Sequence, residues 1–292
     1  MRTLPGLLWI SAWLMWSSCN LINPAEDIPA YIYVDSLTFS ADGQEGTSSE
    51  KITEVWVVAE GEIIGAYQIP AYIPILSSGA KEISFFAGIK NNGIAATRMM
   101  YPFYEPDTQS LMLVEGDTIQ ATPHFEYKTS LEFITEDFES GTQLGETSSS
   151  QVNMSVIDNS NDPDDVFEGE HSGYVAIPEE FNVWEARWAN EMFLPAGERI
   201  WLEMDYKCNN TFAVGLYAVS GGGDIKSLSL IVNPTTDDAG VPQWNKIYVE
   251  LTQTASQYLS ADFFNLYLES ARQDDVNTAE VWVDNLKIVH FE

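Results

Sequence analysis

Apolar residues in this chain alternate with polar ones at period two, in short runs separated by Gly, Pro, Asn and Asp. That pattern predicts strands, because successive side chains of an extended backbone point to opposite faces. Candidate strands in the first half are Tyr31–Ser40, Ile52–Ala59, Ile63–Ile69, Glu82–Lys90, Ile94–Tyr101 and Thr118–Lys128. Glu60-Gly61-Glu62 reads as a short turn. Asn91-Asn92-Gly93 reads as a tight hairpin turn, since Asn and Gly tolerate the positive φ it demands. Helical periodicity and internal repeats are essentially missing. The start of the chain differs: Met1-Arg2 precedes an apolar run, Leu4–Trp16, shorter than the roughly 20 residues that span a bilayer. A charged start, a short apolar core and small residues after it read as a secretory signal.

The expected organisation is a signal over 1–18, a tether over 19–29, one β-domain over 30–129 and a second over 130–292. Pro24 and Pro29 make the tether extended. The fold class is all-β, two tandem sandwiches.

Composition narrows the function. At 45% hydrophobic and 12% aromatic, the chain can build cores. Its 44 acidic and 13 basic residues give a net charge of −31, which argues against a nucleic-acid partner and against a polybasic grip on lipid heads. Three histidines, two cysteines and no Gly-x-Ser-x-Gly or His-Glu-x-x-His motif leave little material for catalysis. Carboxylate pairs prove nothing in so acidic a chain. The expectation is a binding protein, not an enzyme. Cys208 follows the alternating Ile200-Leu202-Met204-Tyr206 and reads as a core thiol.

Three stretches resemble known families. Ser17-Ser18-Cys19 resembles the signal of bacterial lipoproteins, of the relaxed Bacteroidota type, with Trp16 where a Leu-like residue is usual. The resemblance implies lipidation of Cys19 and a lipid anchor in the outer membrane. The acidic Glu26-Asp27 of the tether resembles the export signal that sends such lipoproteins to the cell surface. In the first domain, Val55-Trp56-Val57, Gly65-Ala66-Tyr67 and Ile83-Ser84 resemble the immunoglobulin-like modules of bacterial surface proteins. In the second, Phe138-Glu139-Ser140-Gly141, Glu168-Gly169-Glu170-His171-Ser172 and Val283-Asp284-Asn285-Leu286-Lys287-Ile288 resemble the galactose-binding-like jelly rolls of carbohydrate-binding proteins. That resemblance implies a possible structural Ca²⁺ held by Glu139, Glu168 and Asp284, with Asp165 as a further ligand.

Two constellations bear on function. In Phe181–Trp188, strand geometry puts Trp184, Ala186 and Trp188 on one face and Glu185 and Arg187 on the other. Trp184 and Trp188, with Arg187, suit a glycan platform; the two tryptophans equally suit a sandwich core. Trp201, Tyr217, Trp244 and Tyr258 are further aromatic candidates. The apolar, proline-broken Met99, Met100, Tyr101, Phe103 and Tyr104 suit a protein interface or a plug at the end of the first sandwich. The favoured function is an accessory subunit of an outer-membrane complex, with a β-barrel protein as partner. The alternative is a surface lipoprotein that binds a glycan through its jelly roll.

Overall fold

The computed structural model describes residues 28–160, 162–195 and 197–292; the signal segment, Cys19 and the tether up to Asp27 lie outside the described residues. The first half holds ten strands: β1 (Ala30–Val34), β2 (Thr38–Ser40), β3 (Glu54–Ala59), β4 (Glu62–Gln68), β5 (Ala71–Ile75), β6 (Gly79–Lys90), β7 (Arg98–Met100), β8 (Asp107–Leu113), β9 (Thr118–Ala121) and β10 (His124–Glu126). They form a sandwich. One layer has β1 antiparallel to β5 and parallel to β9, beside a short parallel β2–β10 pair. The other runs β4-β3-β6-β7, with β8 also on β6. Ile32, Val34, Ile73, Val55, Val57, Ile83 and Phe85 fill the space between.

Turns fall where the sequence puts them. Glu60 and Gly61 take φ of 52° and 84°, and Asn92 and Gly93 take 55° and 69°. Several strand expectations change. Tyr31–Ser40 splits, because β1 and β2 pair in different sheets. Thr118–Lys128 splits likewise into β9 and β10. Ile94–Tyr101 becomes a strand only at Arg98, since Thr97 closes a turn onto Ile94 and Asn91. Strand β5 was hidden by Pro74, which survives because β5 is an edge strand and loses no ladder bond there.

The second half adds β11 (Leu131–Glu136), β12 (Leu144–Glu146), β13 (Ser155–Asp158), β14 (His171–Ile177), β15 (Val183–Trp188), β16 (Ile200–Cys208), β17 (Phe212–Ser220), β18 (Gly223–Val232), β19 (Asn245–Glu250), β20 (Phe263–Ala271) and β21 (Ala279–Phe291), with one short helix, α1 (Thr252–Ser256). All pairings are antiparallel. The inner sheet runs β13-β14-β21-β16-β19, with β11 also on β21; the outer sheet runs β12-β15-β20-β17-β18. This is a jelly-roll sandwich.

The inner sheet is buried on both faces. Every residue of β16 is buried. Leu202, Met204, Tyr206 and Cys208 enter the jelly-roll core. Trp201, Glu203 and Asp205 face the first domain instead. Trp201, Tyr248 and Val289 belong to the same apolar cluster as the first sandwich.

Tyr101, Phe103 and Tyr104 are at most 3% exposed and fill this seam. Phe103 packs edge-on to Trp201 at 5.7 Å, and Tyr101 lies 4.9 Å from Tyr248. The expected protein interface at Met99–Tyr104 is therefore corrected: the segment is a contact within the chain, with Met99 and Met100 half-buried at its margin. Its physical reason is area, since aromatic side chains gain most by leaving water.

Glu203 sits at the seam, fully buried. Its Oε1 accepts the hydroxyls of Tyr101 and Tyr127, each at 2.8 Å, and Lys246 lies 3.5 Å from Oε2. Asp205 accepts from Ser49 Oγ at 2.9 Å, and Lys287 donates to Thr47 O and Tyr127 Oη. Donors thus come from both domains. Tyr101→Phe or Tyr127→Phe should each cost about 1–3 kcal/mol of stability. Glu203→Ala, which strands Lys246, should cost about 3–5 kcal/mol. Urea unfolding followed by tryptophan fluorescence measures all three.

Candidate functional site

The outer sheet of the jelly roll carries the candidate site. Along β15, alternation sends Trp184, Ala186 and Trp188 inward and Glu185 and Arg187 outward. Both tryptophans are 0% exposed. The proposed glycan platform of Trp184 and Trp188 is therefore corrected: these rings are sandwich filling, packed with Leu216, Leu266 and Leu268. Of the three residues assigned to a glycan, Arg187 alone is on the open face, 27% exposed.

Two other aromatics point to that side of the sheet, Tyr217 part-exposed and Tyr267 buried beneath Lys226. Tyr217 of β17 and Tyr267 of β20 sit opposite apolar neighbours in Leu216-Tyr217-Ala218 and Leu266-Tyr267-Leu268, so both point outward. Their ring centroids are 5.4 Å apart. Gly215 makes room for Tyr267. A Cβ there would lie 2.6 Å from the ring and 2.2 Å from Ser227 O.

A charged lattice holds the rings. Lys226 Nζ bonds Glu185 and Glu269 at 2.5 and 2.7 Å and lies 4.5 Å from the Tyr267 centroid. Arg187 stacks 4.7 Å over Tyr217, bonds Asp224 and shares Asn265 Oδ1 between Nε and Nη2. Asn265 Nδ2 in turn donates to the carbonyls of Trp188 and Asn190. Burial and the bond to Glu185 push the Tyr217 hydroxyl up to about 12. Burial would raise Glu185, yet the hydrogen bonds from Lys226 and Tyr217 hold it below the usual carboxylate range. Glu185 is thus kept ionised and is unsuited to donate a proton to a leaving group. Beside the rings, Gly145, Thr147, Arg187, Glu191, Phe263 and Asn265 line an open hollow of about 450 Å³. The alternation on β17 and β20 was legible in the sequence. The meeting of Lys226 with Tyr267 was not, because it depends on the β17–β18 register.

The expected calcium ligands do not form one cage. Glu139 Oε1 accepts the backbone N–H groups of Glu170 and His171 at 2.8 and 3.0 Å, and Oε2 is 3.3 Å from His171 Nδ1. Asp284, fully buried, accepts from Ser172 Oγ at 2.7 Å, Glu168 N at 3.2 Å and Asn285 N at 2.8 Å. Glu168 accepts from Asn285 Nδ2, while Asp165 faces Lys207 at 3.5 Å. Calcium asks for six to eight free oxygens. Here three acids are occupied as acceptors pinning the Glu168–Ser172 loop, and the fourth neighbours a lysine, so the set does not fit the ion. Among the described residues, Glu139, Glu170 and His171 do bring ligand atoms within 4.8 Å of one another.

No family model matches this chain, and no curated protein sequence matches it. Solved structures similar to it include a family 61 carbohydrate-binding module in complex with β-1,4-galactotriose, at 13% identity and TM-score 0.34, covering 52% of this chain and 92% of that one. A family 30 carbohydrate-binding module from a cellulosomal cellulase of Clostridium thermocellum matches at 17% identity and TM-score 0.36, covering 53% and 90%. A family 29 carbohydrate-binding module matches at 11% and 0.32, covering 55% and 88%.

Burial, reinforced by Asp205, pushes Asp284 up to about 7. The unfolded chain releases this proton near its ordinary value, about 4, whereas the folded chain keeps it until about 7. Between those values the unfolded state binds fewer protons, so this group's contribution to stability falls as pH rises. The stability of Asp284→Asn relative to the parent should therefore climb from pH 4 to pH 7 and level off above it. Urea unfolding at a series of pH values reads that difference.

Proposed function

We propose that this chain is a non-catalytic glycan-binding protein whose ligand lies on the outer jelly-roll sheet. The observation that carries the reading is the convergence of Tyr217, Arg187, Asn265 and the adjacent hollow on one rigid sheet face. Sugar recognition needs an aromatic or planar group against a pyranose ring and fixed polar groups for its hydroxyls. Arg187 and Tyr217 supply the first, with Arg187 held by Asn265; the part-exposed Glu269 and Lys226 supply the second, already oriented by one another. Little ordering is left to occur on binding, which favours affinity. The lipid expected at Cys19 would hold this face at the membrane, and replacing Cys19 by Ala tests that anchor by membrane fractionation.

The reading as an accessory subunit of a β-barrel complex loses its contact segment, because Tyr101, Phe103 and Tyr104 are consumed by the chain itself. Ile63, Tyr72, Leu76 and Met112 are each more than half exposed on the first domain, but nothing ties them to one occupant.

Oligosaccharide arrays followed by calorimetry test the proposal. Tyr217→Ala and Arg187→Ala should each weaken the bound glycan at least tenfold, about 1.4 kcal/mol, with little change in folding. Trp184→Ala should do the opposite, costing about 3–5 kcal/mol of stability through a core cavity. Unchanged glycan affinity in both outer-face variants would overturn the assignment.

A further inference from the structure

A second cleft lies where the two domains meet. It holds about 440 Å³ and is lined by Lys51, Lys90 and Asn92 from the first domain and by Asn233, Trp244 and Lys246, among others, from the second. Its charge inverts that of the protein. With 44 acids and 13 bases in 292 residues, nineteen lining positions drawn at random would carry roughly three acids and one base. The lining has three lysines and no acid.

The counter-charges lie elsewhere. Lys246 pairs on its buried side with Glu203 and Asp205, at 3.5 and 3.8 Å. Glu50, half-buried nearby, accepts from the Ile52 backbone N–H. Glu54 Oε2 lies 3.4 Å from Arg98, and Arg98 stands opposite Lys90 in the β6–β7 ladder. Lys51 Nζ bonds the neutral Asn245 Oδ1. Among the described residues, no carboxylate oxygen lies within 4.0 Å of the Lys51 or Lys90 ammonium, although the buried Glu54 feels the charge of Lys90 at longer range. Burial and the charge of Lys90 both lower the Lys51 ammonium below its ordinary value. Two like charges face one opening without an anion between them.

The walls narrow the class of anion. Trp244 forms part of one side, its indole N–H fixed at 2.7 Å to Asp164 O and its ring packed on Phe167. Asn92, Asn233, Thr236 and Gln243 put amides and a hydroxyl around the opening. Thr53 Oγ1, also in the lining, is buried and has no hydrogen-bond partner. An aromatic wall, several neutral polar groups and two uncompensated cations match a ring that carries both hydroxyls and one negative charge.

We propose that the interdomain cleft binds an acidic sugar, a pyranose bearing a carboxylate or a sulfate, with Lys51 and Lys90 meeting the charge. The site is separate from the outer-sheet face and extends the glycan-binding reading to anionic polymers.

Calorimetry on the lipid-free protein tests it with three probes: a galacturonic-acid oligomer, a sulfated galactan oligomer and a neutral galactan oligomer, with inorganic sulfate as control. At least one acidic oligomer should bind, more weakly as salt rises. Lys51→Ala and Lys90→Ala should each weaken it about tenfold, and Tyr217→Ala should leave it unchanged. Trp244→Leu, with its melting temperature measured in parallel, should weaken the oligomer but not inorganic sulfate. Preference between the two acidic probes assigns the charged group. Loss of acidic-sugar binding in Tyr217→Ala but not in the lysine variants would move the ligand to the outer sheet and overturn the proposal. So would binding of the neutral oligomer to Tyr217→Ala as tight as that of the acidic ones, sulfate binding as tight as the oligomer's, or no binding of either acidic probe.

Discussion

Glu203 is a carboxylate taken wholly out of water, and the arrangement of the two domains follows from what it then requires. A buried charge must be met by donors and by an opposite charge, or the fold bears several kcal/mol of desolvation. The jelly roll supplies Lys246. The two hydroxyls come from Tyr101 and Tyr127 of the first domain and its exit. Asp205 repeats the theme through Ser49, and Lys287 through Thr47. The seam thus holds two acids and two lysines, met by donors from both domains, with Glu203 Oε2 left to the charge of Lys246 alone. Apolar contact between Phe103, Trp201 and Phe291 would favour many dockings; the polar groups restrict them. The Asn91-Asn92-Gly93 turn locks the same seam. Asn91 takes the indole N–H of Trp201, and Asn92 accepts from Glu250 N and donates its own N–H to Tyr248 O.

This seam explains where the sequence reading went astray. In β16, Ile200-Leu202-Met204-Tyr206-Cys208 alternates with Trp201-Glu203-Asp205-Lys207, which reads as one core face and one wet face. The period predicts the strand and its core face but not the burial of the second face, because a polar stripe facing water and one facing a matching polar stripe look alike in one dimension. Met99–Tyr104 is the same error from the other side. Its aromatic, proline-broken character marks a surface that seeks a partner, and the partner is β16 and β19 of the same chain. Asp284 and Asn285 also make sense only in this context. Asn285 takes φ of 48° where the β16–β21 register slips between Glu203 and Asp205, so the pair shapes a bulge as well as anchoring a loop.

The binding face was half legible. Strand parity separates Trp184 and Trp188 from Glu185 and Arg187, but parity alone does not say which side turns inward. Volume decides it: a jelly roll whose facing sheet offers Val175, Leu202, Met204 and Val281 has room for two indoles, and only burial gives them their full apolar gain. The outer side then falls to tyrosines, whose hydroxyls need water or a carboxylate. Tyr217 finds Glu185. Trp184 and Trp188 find no partner for their indole N–H groups, a cost the core offsets through packing.

Charge connects the two ligand readings. A surface at −31 repels anionic polymers at long range, and salt within about 8 Å screens most of that field. What decides binding is therefore the local balance at each site. On the outer sheet, Lys226 is shared by Glu185 and Glu269, and Arg187 by Asp224, so the cations there are already neutralised and suit a ligand of hydroxyls. At the seam, Glu203 and Asp205 draw Lys246 inward and Glu54 pairs with Arg98, which leaves Lys51 and Lys90 without an ion pair at the opening. Docking the two domains thus produces the one kind of surface that neither acidic domain would present alone. The interaction that fixes their orientation and the one that would admit an anion are two sides of the same lysine-bearing strands, β6 and β19.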